Sequence, residues 1–432
     1  MRKRLALTTA AVLAATAAAL LGGALRGGRA DAVRVSPDVA AANIQSGFAA
    51  GDTQALVRDL QQQLRSRPSA KAFGLLGLAY QQRARETGDP SWYPKSSAAL
   101  HRALTLEPGD LTATQGLASL ALSRHRFRDA LALGRRAQAL SPSTARTYGI
   151  LGDALVELGR YREAFASFNK LAGLKPGLTA YARVSYAAEL LGDHAGARTA
   201  MLLARDAAQG QAEPTAWTEW QLGKLAWAHG DLREASRRYR AALEAFPRYV
   251  YALDSLAQVE QARGRVRRAI ALEREASDRI PLPQFVAQLG DLYGAAGEPA
   301  RAARQYATIG AIERLLRANG VRTDLETALF DADHGHASVA LARRARADRP
   351  SIDGDDVLAW TLARDGRCGQ ALAWSKRALR LGTEDPLKLF HRAWIEHCLG
   401  HGQAARTFAR RALALNPHFS LLWSDDARRL AR

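Results

Sequence analysis

Two short runs of the sequence contain the residue types that bind metal ions. One is DADHGH, with Asp331, Asp333, His334 and His336, and the other contains His391, His397, Cys398 and His401. Carboxylate, imidazole and thiolate groups are common zinc ligands, but neither run has the spacing of a known metal motif. A predicted turn explains the first run, and Gly400 separates the groups of the second. The sequence therefore predicts no metal site and no cofactor.

The motifs of common catalytic centres are also absent from the sequence. It contains no glycine-rich phosphate loop, no Gly-x-Ser-x-Gly turn and no cysteine and histidine at a meaningful spacing. The carboxylates lie on predicted solvent-exposed helix faces, and no spacing singles out a pair for acid and base catalysis. We therefore do not expect an enzyme, although a site assembled from distant residues would not show in a linear sequence.

Cys368 and Cys398 are the only cysteines of the chain and lie 30 residues apart. One interpretation is a disulfide bond between neighbouring helical units, which an exported protein can retain. The alternative is two small buried side chains without a bond. The distance between the Cα atoms tests the first interpretation, since a disulfide requires roughly 4.4–6.8 Å.

Residues 1–32 have the features of an export signal. Arg2, Lys3 and Arg4 precede an uncharged stretch over residues 5–25, and Ala30 and Ala32 supply a small-residue cleavage pattern. A cleaved signal peptide has this arrangement, but the uncharged stretch would also just span a bilayer of roughly 30 Å as a retained anchor. Both alternatives predict a chain that is secreted or held on the outer face of the cytoplasmic membrane.

The chain is strongly basic, with a formal net charge of +19, or +15 without residues 1–32. A basic surface attracts polyanions, and salt weakens the attraction. Outside the cell we expect no nucleic acid partner, whereas teichoic-acid-like polymers or anionic lipid headgroups are candidates. Only 8 of the 61 basic residues are Lys, so codon composition is an alternative source of the charge. Arginine pairs such as Arg343-Arg344 and Arg410-Arg411 are also typical of solvated helix faces.

Glycine, alanine and proline recur at fixed spacings along the rest of the chain. Within residues 151–176, apolar residues at i, i+4 and i+7 predict two amphipathic helices separated by Gly159 and ended by Pro176. Pro108, Pro142 and Pro176 are each 34 residues apart. One helical hairpin cannot bury both of its faces, so this period predicts a stack of helix-turn-helix units.

This pattern resembles the tetratricopeptide repeat family. The family's packing positions are occupied by Leu151-Gly152, Gly159-Arg160-Tyr161, Ala164, Phe168 and Pro176, and in a later unit by Leu222-Gly223, Gly230, Ala235, Tyr239, Ala242 and Pro247. The resemblance implies an all-α fold, a right-handed α-solenoid of about ten helix-turn-helix units. The chain is similar to exported bacterial proteins of this repeat type whose activity is not established.

The resemblance covers residues 70–417 and departs from the repeat in places. An insertion, ARETGDPSWYPK, separates the helices of the first unit, and residues 310–322 extend a helix before the eighth unit. Around the solenoid we predict a signal or anchor over residues 1–32, a linker and degenerate hairpin over 33–69, and a C-terminal capping helix over 418–432.

The resemblance also implies that a protein or peptide partner lies on the concave face, which the first helix of each unit lines. In the fifth unit, Trp217, Trp220, Lys224 and Trp227 follow at i, i+3, i+7 and i+10, on one side of a helix. The flanking units place Tyr186 and Tyr251 at equivalent positions. Exposed indoles are unusual unless a partner covers them, and Trp and Tyr anchor many interfaces. These six residues are the predicted partner-binding site, and packing on neighbouring helices is the alternative.

Two functions follow from these observations. The first is an exported scaffold that binds a protein in its groove at the cell envelope. The second is electrostatic adhesion to an anionic wall polymer or a lipid surface through the Arg-rich helices. Salt separates the two, since polymer binding weakens with ionic strength and binding through indoles does not.

Overall fold

A computed structural model describes Ile44, residues 52–208 and residues 210–432. The predicted signal or anchor over residues 1–32 lies outside the described residues, as do residues 33–43 and 45–51. The described part is all-α, with 22 helices and no strand.

The helices follow one another with short connections. Their bounds are α1 Thr53–Ser66, α2 Ala70–Thr87, α3 Trp92–Leu106, α4 Leu111–Ser123, α5 Phe127–Leu140, α6 Ala145–Glu157, α7 Tyr161–Leu174, α8 Leu178–Leu191, α9 His194–Asp206, α10 Ala212–Ala228, α11 Leu232–Ala245, α12 Val250–Ala262, α13 Val266–Arg279, α14 Pro283–Ala295, α15 Pro299–Ala318, α16 Asp324–Asp333, α17 Val339–Asp348, α18 Ile352–Arg364, α19 Cys368–Ala378, α20 Pro386–Cys398, α21 Gly402–Leu415 and α22 Ser424–Leu430.

Successive helices pack in pairs, from α2 with α3 to α20 with α21. These ten hairpins are units one to ten, α1 precedes them, and α22 packs on the last one. Each unit also packs on the next, which gives the α-solenoid that the 34-residue period predicted.

In units three, five and seven, a glycine of the first helix packs against an aromatic ring of the second. An added Cβ at Gly152 would lie 2.2 Å from Phe168 Cε1, and one at Gly223 would lie 2.4 Å from Tyr239 Cε1. Only glycine permits so close an approach, and the ring fills the space between the two backbones. As predicted, Gly159 then ends the first helix of the third unit in the left-handed region, with φ of 68°.

The two departures from the repeat extend existing helices. The insertion in unit one lengthens α2 and α3 around a turn at residues 88–91. Trp92, within the insertion, stacks on Tyr80 with ring centroids 5.6 Å apart. The extension after unit seven continues α15 to Ala318 and brings Val321 against the core of units one and two.

The ends of the units make contacts far apart in the sequence. Arg322 N donates to Arg124 O at 3.1 Å, Ile352 N to Tyr161 Oη at 2.7 Å, and Asn416 Nδ2 to Trp227 O at 2.8 Å. The last two contacts join residues 191 and 189 positions apart. This near-constant offset corresponds to between five and six units. The solenoid therefore completes a superhelical turn at that spacing, and its successive turns touch.

A buried ion cluster lies at one of these turn-to-turn contacts. Arg349, after α17, is 4% exposed and bonds both carboxylate oxygens of Glu157, with 2.9 Å from Nη2 to Oε1. Its Nη1 also donates to Glu326 at 3.1 Å, and its guanidinium lies 5.4 Å from the ring of Phe127. Burial lowers the pKa of Arg349, but the carboxylates of Glu157 and Glu326 outweigh burial and raise it. The residue therefore stays charged and links units three and eight.

Cys368 and Cys398 form a disulfide bond in the structure, with Cα atoms 6.2 Å apart. Cys368 begins α19 of unit nine and Cys398 ends α20 of unit ten. Of the two interpretations that the sequence left open, the bonded one is present. The bond joins the last two units at one edge of the solenoid.

We expect reduction of this disulfide to destabilise the C-terminal units by about 2–4 kcal/mol, because the reduced chain regains the conformational freedom of the closed loop. Hydrogen exchange with and without reductant should show faster exchange in α19–α22 and little change in α4–α9. The double variant Cys368→Ser/Cys398→Ser is the control, since reductant should not alter its exchange. Two modifiable thiols in the unreduced, denatured protein would contradict the bond.

His194 and His229 stack face to face at the turns of units four and five, with ring centroids 3.6 Å apart. Burial lowers the pKa of His229 to about 4, and the nearby His194 adds to the effect. Burial also lowers the pKa of His194, as does Arg198, whereas Asp193 and Glu384 oppose the shift. Both rings are therefore neutral at neutral pH.

We expect these rings to make the protein less stable in mild acid. In the unfolded chain each histidine titrates near ~6.5. Below that pH the unfolded state therefore binds protons that the folded state does not bind. Above about pH 6.5 the two rings therefore do not lower the free energy of unfolding, and they lower it increasingly as the pH falls from 6.5 towards 4. Urea unfolding of His229→Gln should show a smaller loss between pH 7 and pH 5 than the unchanged protein. Identical losses would contradict the assignment.

Candidate functional site

The first helices of the units lie inside the superhelix. Nearly every residue of α4, α6 and α18 is buried, whereas the second helices bury one stripe and expose the rest. In α10, Gly223 faces its own second helix, and the positions six and three residues before it and one and four residues after it form a neighbouring stripe. We call the corresponding stripes of the first helices α6, α8, α10, α12 and α14 the inner wall. It contains all six predicted partner-binding residues.

The structure buries two of the three predicted indoles. Trp217 and Trp220 are each 3% exposed, which differs from the open aromatic stripe expected from the sequence. Trp220 Nε1 donates to Ser255 Oγ at 2.9 Å, and its ring lies 5.2 Å from Tyr251. The reason is that α12 of the next unit packs against this face. The role of these rings in partner binding remains a prediction, but Trp220 already has a full set of contacts within the chain.

The other predicted residues differ in exposure. Trp227 and Tyr186 are half-buried, whereas Tyr251 is buried and packs edge-on against Phe285 at 5.8 Å. Lys224 is buried, donates to Gln221 Oε1 at 3.2 Å and lies 4.8 Å from the Trp220 ring. Of the six residues, only Trp227 and Tyr186 are partly accessible, and Tyr186 packs against the core of units two to four, apart from the core that contains the indoles and Tyr251.

Lys224 is coupled to Glu189 of the preceding unit. Burial lowers the pKa of Lys224 to about 8, and Glu189 opposes that shift. Burial also raises the pKa of Glu189 to about 7, and Lys224 opposes it. The spacing that places Lys224 on the same helix face as the indoles could not reveal its interaction with Glu189, because Glu189 lies on another helix.

A pair of acids, the half-buried Asp254 and the buried Glu273, was not anticipated from the sequence. Burial raises the pKa of Asp254 to about 7 and that of Glu273 well above its ordinary value, with Asp254 adding to the shift of Glu273. Gln258 Nε2 donates to Asp254 Oδ2 at 3.2 Å, and Gln288 Nε2 donates to Glu273 Oε2 at 2.8 Å. The signal was present in the sequence, since Glu273 follows the packing residue Ala269 by four positions and so shares its buried face.

The histidine runs serve as structural contacts. His334 Nε2 lies 2.8 Å from Asp291 Oδ1, and Asp333 accepts from the indoles of Trp360 and Trp423 at 2.8 and 2.9 Å. His391 Nδ1 lies 3.0 Å from Asp356 Oδ2. Among the residues that the structure describes, no group of three or more His, Cys, Asp and Glu could hold a metal ion.

Charge is divided between the two layers of the solenoid. Every second helix from α3 to α21 carries more basic than acidic residues, and none of the first helices from α6 to α18 does. The extremes are α16, with four acids and no base, and α21, with three arginines and no acid. The first helices from α6 to α18 therefore carry no net positive charge, and many of their acids pair with arginines of the second helices and turns, as Glu219 does with Arg238 and Asp355 with Arg346.

Sequence comparison agrees with this architecture. The profile of the tetratricopeptide repeat family matches residues 145–177, which comprise α6, α7 and the turn between them. This hairpin is one of ten in the described residues, and its contact of a glycine with an aromatic ring is repeated at Gly223 and Tyr239 and at Gly290 and Tyr306. One hairpin of the chain therefore matches the tetratricopeptide repeat family, and the described residues form a helical solenoid of the same fold. Folds of this kind generally act as scaffolds for protein interaction.

Solved structures that resemble this repeat protein share little sequence with it. A human IFIT1 dimer with PPP-AAAA is 16% identical, covers 76% of this chain and 78% of its own, and gives a TM-score of 0.48. The Cut9 and Hcn1 hetero-tetramer of the APC/C is 13% identical, with coverages of 88% and 93% and a TM-score of 0.37. YrrB, a TPR protein with an unusual peptide-binding site, is 20% identical, with coverages of 44% and 96% and a TM-score of 0.29.

Similarity at this level says nothing about the partner of the repeat protein. No curated protein matches it in sequence. Within the described residues, none of its helices is both long and apolar enough to cross a membrane.

Proposed function

We propose that this repeat protein is an exported scaffold that binds a polypeptide along its inner wall at the cell envelope. The observation that supports this most directly is a row of half-buried side chains on a wall that is otherwise closely packed. Successive first helices contribute them: Tyr186, Glu189, Trp227, Asp254, Gln258 and Asp291. Aromatic, amide and carboxylate groups in such a row can contact side chains and donate to or accept from a backbone.

A capture experiment with a matched control tests the wall as the binding surface. Tagged protein, Tyr186→Ala and Gln258→Ala would each be used to recover partners from native membranes. Arg162→Ala, on the exposed face of α7, is the control. We expect both wall variants to lose the protein that the unchanged chain and the control recover. Equal recovery by all four proteins would overturn the proposal.

Export rests on residues 1–32 and is supported by the disulfide, since such bonds persist mainly in oxidising compartments. Protease added to intact, wall-stripped cells should digest the chain, because the basic residues before the apolar stretch hold the N-terminus inside. Complete protection from the protease would contradict this location. We propose no enzymatic activity.

A second candidate function is favoured by the basic outer layer. In this proposal the second helices bind an anionic wall polymer or lipid surface, with exposed arginines such as Arg406, Arg410 and Arg411 as contacts. Sedimentation with anionic vesicles should then fall steeply between roughly 50 and 200 mM salt. If the protein instead keeps its membrane partner in high salt, the result would favour binding through the inner wall.

A further inference from the structure

One position of the inner wall carries an arginine without an acidic partner. Arg146 lies six residues before the packing glycine Gly152, as Trp217 lies six before Gly223, so the two occupy equivalent inward positions. Arg146 Nη1 is buried and has no hydrogen-bond partner. The nearest carboxylate on the same helix, that of Asp153, is taken by Arg183, which bonds both of its oxygens at 2.8 and 2.6 Å.

The surroundings of Arg146 add positive charge. Burial lowers the pKa of Arg146 to about 10, and the charges of Arg85 and Arg183 lower it further. Arg183 lies over the backbone of Gly149, one helical turn after Arg146, with its Cζ 3.3 Å from the position of an added Cβ. Three guanidinium groups, from α2, α6 and α8, therefore lie close enough for their charges to interact inside the first superhelical turn.

Arg85 adds one more unpaired donor to this region, whereas its Nη2 donates to Gln82 Oε1. It is 5% exposed, and its Nε is buried without a hydrogen-bond partner. Glu213, Tyr93 and Glu86 partly offset the effect of burial on its pKa. The hydroxyl of Tyr249, itself fully buried, also has no partner. Three buried N–H and O–H groups of this region, on Arg146, Arg85 and Tyr249, thus have no acceptor within the chain.

A guanidinium with a buried N–H that lacks an acceptor is less favourable than one at the surface, because that N–H loses hydration and gains no hydrogen bond in return. Such groups persist where a ligand completes them, since function tolerates a loss of stability. We propose that Arg146 and Arg85 bind an anionic group, a phosphate or a carboxylate, of a ligand held inside the first superhelical turn. The planar fork of each arginine suits both oxyanions.

The proposed site goes beyond the polypeptide scaffold, since it requires only an oxyanion. Pyrophosphate and citrate are the probes, and they separate a phosphate ligand from a carboxylate one. Thermal unfolding of the full chain would be followed with each probe. The reference is a chloride solution of the same ionic strength. The variants are Arg146→Met, Arg146→Lys and, as a matched control on the outer layer, Arg162→Met.

We expect one probe to raise the melting temperature of the unchanged protein and of Arg162→Met, and to have no effect on Arg146→Met. Without any probe, Arg146→Met should melt higher than the unchanged protein, because it no longer holds a buried N–H without an acceptor beside the positive charges of Arg85 and Arg183. Arg146→Lys, which keeps the charge but loses the fork, should bind the probe at least ~10-fold more weakly. The proposal is overturned if neither probe stabilises the unchanged protein, or if Arg146→Met responds to the probe as Arg162→Met does.

Discussion

Replacement of Arg349 by Met is expected to destabilise the protein by about 3–5 kcal/mol. The change removes the guanidinium that bonds both oxygens of the buried Glu157 carboxylate, and loss of one member of a buried ion pair is among the most costly changes in a protein core. Glu157 is 1% exposed, so water cannot replace the guanidinium. Because the pair joins units three and eight, the loss should separate two superhelical turns rather than melt one hairpin.

Two measurements distinguish that outcome from general unfolding. Urea denaturation gives the loss in free energy, and small-angle X-ray scattering of the folded variant should show a larger radius of gyration. Arg344→Met, on the exposed face of the same helix α17, should change neither by a measurable amount. The double variant Glu157→Leu/Arg349→Met should recover much of the stability, since an apolar pair of similar volume removes both charges. If Arg349→Met is as stable as the unchanged protein, other contacts hold the superhelical turns together.

The sequence predicts the units well because each hairpin depends on residues close together in the chain. Gly152, Gly159 and Phe168 lie within one period, and their spacing alone defines two helices, the turn and the contact between them. The superhelical turn depends instead on residues about 190 positions apart, such as Tyr161 and Ile352. Small rotations between units accumulate over that distance, and no local pattern records their sum.

The candidate site shows the same limit. The spacing of Trp217, Trp220 and Trp227 placed them correctly on one face, but their burial is decided by α12 and by the tightness of the turn. Arg146 occupies the same inward position in unit three, yet an arginine at that place looks ordinary in the sequence. Only the structure shows that Arg183 has taken the neighbouring carboxylate and that Arg146 has no acid of its own.

Replacement of Trp220 by Ala is expected to cost about 3–5 kcal/mol of stability, as for other buried tryptophans. Its ring packs between Tyr249 and Tyr251, with centroids 6.3 and 5.2 Å away, and its removal leaves a cavity at the contact between units five and six. Ser255 Oγ also loses the indole N–H that it accepts. The sequence alone had suggested a different result, in which the helical signal stays intact and only partner binding weakens.

Trp227→Ala provides the comparison, because that ring is half-buried and its loss should cost much less. Thermal unfolding of both variants, followed by circular dichroism, measures the difference, and Trp220→Phe separates ring packing from the hydrogen bond to Ser255. If Trp220→Ala unfolds no earlier than Trp227→Ala, the inner wall is less closely packed than its burial indicates. In that case Trp220 would again be a candidate for direct contact with a partner. If Trp220→Ala unfolds much earlier and Trp227→Ala alone loses the partner, the accessible part of the wall is where binding occurs.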